Sequence, residues 1–513
     1  MTTAFPNNYV MTNMPPADGF DTVGKGRKLT ADVVIVGSGP GGAVASKLLA
    51  EAGLRVVVLE MGPKTTRFRP NYPHTARYHM QENGAMVARG SSFIPIAAGK
   101  GLGGGTLINS ALSFRAPNYV LEKWSAILED EDWGPEEMNL IYDEISQFIG
   151  VGITRKEIAG KNNEICVKGI KELGYDGGYA PRSTPGCGGC GICYFGCPTG
   201  GKASMNRNFL PMAVEAGATI QAETKVVEVL TENNRAIGVR GIAYNPDTLE
   251  RGGEVVVHAE KVILAAGAIG TPKLLWSCGL AAKMGTRVGE GLQIHPGSTL
   301  IGRHDSKVEM WKGATQGAYF HPPNMPGVLP HTFSAPPEAC LAAGGFVGKS
   351  FQKGLALLPY LCGMLVMVSD KGHGSVRAFS DGRANIKYDF HPEDVQRIKD
   401  GLVAVAKVLF AGGAKDLRAP IHGIGIINDP QQLANQLTTR TIKDFTLYAA
   451  HPMGSCAMSL DPATGVVNPN GESHHINNLY ISDASIFPSS LGVNPQLSTM
   501  AVSAQIARRL LIS

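Results

Sequence analysis

The sequence predicts an α/β fold in which a Rossmann-like dinucleotide-binding domain is joined to a second domain and carries a cysteine-rich loop. Three observations support this. Residues 32–60 read as a strand, a glycine-rich turn, a helix and a second strand. The 513 residues, 43% of them apolar, suffice to bury one large core or two domains sharing a cleft. Cys187, Cys190, Cys193 and Cys197 fall within eleven residues and are followed by Pro198.

The first element is the β-branched run that ends at Val36. It leads into the turn Gly37, Ser38, Gly39, Pro40, Gly41, Gly42, which opens the helical stretch AVASKLLAEAG, and RVVVLE returns as a strand closing on Glu60. Gly37 allows the tight turn, Gly39 lets backbone approach a pyrophosphate at the positive helix terminus, and Gly42 permits helix–strand packing. Glu60 stands where a carboxylate can bind ribose hydroxyls. Pro40 and Gly41 complete this candidate nucleotide cradle. The fingerprint alone does not separate FAD from NAD.

The cysteine run has the spacing C-x2-C-x2-C-x3-C-P used by bacterial ferredoxins to hold iron–sulfur clusters. A single zinc ion is usually gripped by two knuckles separated by a longer loop, so four thiols this close fit a cuboidal cluster better. Gly188, Gly189, Gly191 and Gly196 let backbone N–H groups reach the sulfides. The fourth corner stays open, because in two-cluster ferredoxins the cysteine before proline serves the other cluster. The remaining cysteines, Cys166, Cys278, Cys340, Cys362 and Cys456, are scattered and read as small buried hydrophobes.

Other classes are disfavoured. Residues 1–27 read as a polar N-terminal arm without the charged start and apolar middle of an export signal, so the expected compartment is the cytoplasm. The longest apolar run, Leu355 to Val368, is interrupted by Pro359 and Gly363, which predicts core or pocket lining and no transmembrane segment. A net charge of +4 with no basic stripe leaves no nucleic-acid footprint, although mild basicity suits an acidic redox partner. Farther along, Val395, Ile398, Leu402, Val405 and Leu409 recur at helical spacing after a strand pattern that ends at Phe390.

Further segments carry a resemblance. GKGLGGGTLINSA at 99–111, AAGAIGTPKLLWSCGL at 265–280, GEGLQIHPG at 289–297 and the last sixty residues, from HPMGSCAM onward, resemble the glucose-methanol-choline (GMC) oxidoreductase family over most of the chain. The resemblance implies FAD, bound non-covalently because 99–111 lacks a histidine for attachment. It implies a discontinuous FAD domain from residues 28–118, 200–300 and 440–513. The α+β substrate domain, built on an antiparallel sheet, would then comprise 119–199 and 301–439, with 187–198 as the iron–sulfur loop. Gly104, Gly105, Thr106 and Asn109 would lie along the flavin and Val226 would meet the adenine. Asp483, Ala484, Pro495 and Gln496 would close over the pyrophosphate and ring. His451 matches the family's catalytic histidine and Asn494 its partner position, so His451 would take the hydroxyl proton while Asn494 orients the hydroxyl. His295 would be structural or flavin-proximal, and His474 and His475 would sit on a solvated turn.

Cys187, Cys193 and Cys197 are similar to the three-cysteine pattern of FAD-dependent glucose dehydrogenases that carry a 3Fe-4S cluster. Cys190 departs from that pattern, and as a fourth ligand it would make the cluster 4Fe-4S. The loop also resembles the long-chain alcohol oxidase and dehydrogenase branch, where related loops occur without a necessary cluster. Residues 308–368 are rich in Met, Phe, Trp, Pro and Leu, which favours an apolar alcohol over a sugar. The expected function is an FAD-dependent alcohol dehydrogenase relaying single electrons to a cytochrome, ferredoxin or quinone-linked acceptor. A small partner subunit could carry it to the periplasm or a membrane. The alternatives are an O2-using alcohol oxidase with a structural cysteine loop, a sugar dehydrogenase, a lyase with structural FAD, and an electron-carrier subunit.

Overall fold

The first sheet has seven strands and is mostly buried. In the computed structural model, which describes residues 15–65, 68–334, 337, 341 and 348–512, its order is Thr219–Gln221, Val56–Leu59, Arg27–Val36, Arg251–Leu264, Arg235–Tyr244, Thr224–Glu232. Leu479–Ile481, more than two hundred residues downstream, adds in parallel beside Val262–Leu264. Val33–Val36 pairs in parallel with Val56–Leu59 on one side and with Lys261–Leu264 on the other. Strands covered on both faces need an unbroken apolar run, which is why VVIV and VVVL read as they do.

The helix Pro40–Glu51 starts with proline in its first turn and Gly39 as its N-cap. Its entry is set by close backbone contact. A Cβ on Gly42 would lie 1.9 Å from the Gly37 carbonyl oxygen, and one on Gly41 would lie 1.8 Å from that of Ser482. The C-terminal helix Gln496–Ile512 packs on this helix, with Ser503 Oγ donating to the Gly41 carbonyl at 2.6 Å.

A second sheet of six antiparallel strands runs Asp416–Arg418, Gly297–Arg303, Leu361–Val368, Val328–Thr332, Ala318–His321, Asp176–Tyr179. The helix Pro392–Ala411 covers it, burying Ile398, Leu402, Val405 and Leu409, while Val395 is half-buried. The apolar run 355–368 becomes the end of one helix, a short 3-10 turn and the wholly buried strand Leu361–Val368. No helix among the described residues is long and apolar enough to cross a membrane. A smaller sheet, ordered Glu290–Leu292, His373–Ala378, Ala384–Asp389, Val87–Gly90, Phe93–Pro95, lies between these parts of the chain.

Packing runs across the domain boundaries expected from sequence. Helices Asn118–Leu128 and Pro135–Phe148, assigned from sequence to the substrate domain, bury Trp124, Ile141 and Phe148 in the core of the first sheet. The second packs on the C-terminal helix, where Tyr142 and Ser498 share a 2.7 Å hydrogen bond, and Trp124 of the first packs against Phe487. Conversely, Ala88 and Ile94 from the presumed FAD portion pack in the second core. Of the scattered cysteines, Cys166, Cys362 and Cys456 are buried, Cys278 is half-buried, and Cys340 lies outside the described residues.

Candidate active site

One cavity of about 1420 Å³ separates the two cores. That exceeds the roughly 300–1,000 Å³ of a pocket for one drug-sized ligand, so a dinucleotide and a substrate can share it. Gly37, Gly39, Pro40, Gly41, Glu60, Gly104, Gly105, Thr106, Asn109 and Val226 line it, together with His451, Asp483, Ala484, Asn494, Pro495 and Gln496. Gly42 lies behind the wall, where its lack of a Cβ lets the helix seat against the strand. The phosphate end is built from two glycine turns in contact. Gly104 has a φ of +54°, and a Cβ there would lie 2.8 Å from the Gly39 Cα, whereas Gly39 and Gly105 have open space on their own Cβ side.

Two acids on the wall are already engaged. Glu60 accepts from Gly62 N at 2.7 Å and Gly101 N at 3.0 Å through one oxygen, and from Ser38 N at 3.0 Å and Ser38 Oγ at 2.6 Å through the other. A carboxylate has about four acceptor sites, so protein donors fill them and a ribose hydroxyl must displace one. Asp483 accepts from Gly267 N and Thr271 Oγ at 2.8 and 2.6 Å and from Ser485 N at 2.8 Å, tying the final segment to the helix Gly267–Ser277. Burial raises its pKa against these bonds. Asn109 Nδ2 donates to Gln496 Oε1, joining the glycine-rich segment to the C-terminal helix.

His451 and Asn494 meet. His451 Nε2 lies 3.0 Å from Asn494 Nδ2, and the Asn494 Oδ1 has no protein partner. An amide N–H aimed at Nε2 makes that nitrogen an acceptor. Burial, and then the neighbouring His295 and His331, push the His451 pKa well below its ordinary value, so the ring is neutral at neutral pH.

Two further histidines line the cavity wall: His295, read from sequence as structural or flavin-proximal, and His331, which the sequence reading did not single out. His295 lies with its ring centre 5.4 Å from that of His451, edge-on. His331 shares a cross-strand row with Leu365 and Thr299 on the floor of the cavity, and its Nδ1 lies 3.2 Å from the Leu329 carbonyl. Burial takes the His295 pKa down to about 3 and that of His331 to about 4. Nothing in VLPHT, whose five residues are all buried, marks His331 from sequence. His475 is exposed, and His474 is half-buried with Nε2 2.9 Å from the Ser459 carbonyl.

The cysteine loop lies against the same wall. Tyr194 and Phe195 line the cavity, while Cys187, Cys190, Cys193 and Cys197 all border a separate gap of about 10 Å³ together with Lys202. Among the described residues no three His, Cys, Asp or Glu side chains are close enough to hold a single metal ion. Two buried cations flank the thiols. Arg182 donates to the Ser110 carbonyl and to Cys193 Sγ, and its Nη1 has no partner. Lys202 Nζ donates to the carbonyls of Leu107, Asn109 and Cys193 at 2.8, 2.9 and 3.2 Å. Burial brings Lys202 down to about 8 against the pull of Cys193 and Cys197. Burial opposes ionisation of Cys193, yet Arg182 and Lys202 hold its thiol below the usual value; burial raises that of Cys190.

Comparison with known proteins identifies the family. The description "FAD binding domain" matches residues 30–77, and "GMC oxidoreductase" matches residues 76–297 and 371–503. A GMC-type oxidoreductase of Mycobacterium tuberculosis is 34% identical over 487 residues, covering 93% of this chain and 75% of its own. The chain belongs to the GMC oxidoreductase family. As such it is an FAD oxidoreductase acting on CH–OH donors. Among other GMC relatives, a long-chain-alcohol oxidase of Arabidopsis thaliana is 29% identical over 518 residues, 93% of this chain and 68% of its own. In fold the chain is similar to pyridoxine 4-oxidase from Mesorbium loti, with a TM-score of 0.72, 18% identity and coverage of 93% and 98%.

Proposed function

We propose that this GMC protein is an alcohol dehydrogenase that oxidises an apolar alcohol to an aldehyde or ketone and passes electrons through an iron–sulfur cluster in the cysteine loop to a one-electron carrier protein. His451 Nε2, neutral and on the cavity wall, accepts the substrate hydroxyl proton. Asn494 Nδ2 fills the single lone pair of that nitrogen in the resting site, so the substrate hydroxyl displaces this contact and the freed Asn494 amide orients the hydroxyl oxygen. The backbone at Gly37, Gly39 and Gly104 and the Asn109–Gln496 pair hold the dinucleotide in place. FAD, when bound, supplies the hydride acceptor. Leu365, Met367, Phe333 and Tyr448 give the substrate end an apolar character.

The observation that carries the relay is the pair of buried cations. Arg182 and Lys202 have no carboxylate partner among the described residues, and a buried charge needs a counter-charge. Four thiolates around an iron–sulfur core are anionic and would supply it. Cys187, Cys190, Cys193 and Cys197 would hold the cluster, which carries one electron at a time. The gap between the thiols has room for about one water-sized sphere, so the glycine-rich loop must open around such a core. Lys202 bridges the loop to the carbonyls of Leu107 and of Asn109, which lines the cavity, so the two sites are joined through one side chain.

The second reading is an alcohol oxidase with a structural loop, favoured by the likeness to the long-chain-alcohol oxidase. Electron paramagnetic resonance with iron and sulfide analysis on anaerobically purified protein separates the two. A cluster signal in the oxidised state supports 3Fe-4S, and one appearing only on reduction supports 4Fe-4S with Cys190 recruited. Absence of iron, together with alcohol-driven O2 consumption, transfers the assignment to the oxidase.

A further inference from the structure

His295 is held from three sides. Its own segment runs beside the His451 segment, with Gln293 and Met453 exchanging backbone hydrogen bonds of 2.9 and 2.8 Å and Gly297 and Tyr448 exchanging bonds of 3.1 and 3.2 Å. The side chain reaches the other loop, where the Gly492 N–H donates to His295 Nε2 at 3.0 Å, two residues before Asn494. The buried Asp370 closes the arrangement. It accepts from Ile294 N at 2.8 Å, His295 N at 3.3 Å, Tyr388 Oη at 2.8 Å and Ser490 Oγ at 3.0 Å. One carboxylate thus grips both the His295 segment and the loop leading to Asn494.

The residue is retained despite two local costs. Its φ is +51°, in the left-handed region that favours glycine, and its Nδ1 is buried without a partner. Such features persist where the surroundings over-determine them, and they concentrate at functional sites.

We propose that His295 is a positioning residue, locked by Asp370, that holds His451 and Asn494 in register by pinning the Gly492 amide and packing edge-on against the His451 ring. This rests on the reading of His451 and Asn494 as the proton-handling pair. With Nε2 accepting, the neutral ring carries its proton on Nδ1, and it serves as a fixed acceptor rather than a second base. A displacement of about 1 Å between reacting groups can lower a rate about 100-fold.

The test uses His295→Asn, which suits a left-handed backbone but is too short to reach Gly492, and His295→Gln, whose amide oxygen can reach it. Hydrogen exchange at Gly492 is expected to speed up at least tenfold in His295→Asn. Anaerobic flavin reduction by alcohol is expected to slow about 100-fold with little change in KM. His295→Gln should recover most of both. Unchanged exchange, or lost protection with a reduction rate within twofold of wild type, would overturn the proposal. Should the His295 variants fail to fold, Ser490→Ala loosens the same clamp from the other loop. Faster Gly492 exchange with slower reduction supports the clamp, and no change in either removes it. If no alcohol reduces the wild-type flavin, the assignment of the pair fails, while Gly492 exchange still reports on the clamp.

Discussion

Replacement of His451 by alanine removes the one ring nitrogen on the cavity wall that Asn494 holds at 3.0 Å as an acceptor. A positioned base contributes about 10²- to 10⁴-fold to a proton transfer, so the barrier should rise by roughly 3–5 kcal/mol. The pH dependence follows from burial. Desolvation first, and then the nearby His295 and His331, keep the His451 pKa well below 6.5. The active neutral form is therefore fully populated at pH 7, and the rate should be flat above pH 7 and fall only in acid. The assay is anaerobic stopped-flow bleaching of the flavin by a primary alcohol between pH 5 and 8, in wild type and His451→Ala, with flavin content matched. A His451→Ala rate within threefold of wild type would refute the assignment. So would a wild-type rate that still climbs steeply above pH 7.

Gly39→Ala and Gly41→Ala should separate binding from folding. The first has open space on its Cβ side and should fold but retain FAD poorly, whereas the second meets the Ser482 carbonyl and should yield little folded protein; flavin absorbance and gel filtration distinguish them. Lys202→Met should strip hydrogen bonds from three carbonyls, destabilising by on the order of 1–3 kcal/mol for each group left buried. A lower melting temperature would show it. Acid should destabilise the fold through His295 and His331. Their folded pKa values of about 3 and about 4 lie below the unfolded 6.5, so the unfolded chain binds the extra protons and stability is lost as pH falls below 6.5. Each contributes about 1.4 kcal/mol per pH unit, and melting of His331→Leu between pH 6.5 and 4.5 should decline less steeply than that of wild type.

Much of the site was legible because it is local. The turn from Gly37 to Gly42 needs glycines for reasons of backbone geometry, and the close approaches at Gly41 and Gly42 are those that helix–strand packing demands. His451 and Asn494, 43 residues apart, were found through resemblance, since nothing in a His-Pro or Asn-Pro pair by itself marks a catalytic group. Which core receives the helices at 118–148 was not legible, because amphipathicity shows that a face is buried but not against what.

What the sequence by itself determined is the set of local constraints: the nucleotide turn, the thiol spacing, and the periodicities that place Val33–Val36 in a sheet and Leu402 on a helix. What only the tertiary structure decided is which distant groups share a low-dielectric space. Nothing along the chain singles out Arg182 and Lys202, yet folding buries both beside Cys193. Glu60 stands at the ribose position along the chain, and only the fold shows that Ser38, Gly62 and Gly101 also donate to it. His295 reads as structural or flavin-proximal, but the groups that close on it, Asp370 and Gly492, come from segments 75 and 197 residues away. The physical reason is common to all three: desolvation and hydrogen-bond satisfaction depend on proximity in space, and a linear pattern records proximity only along the chain.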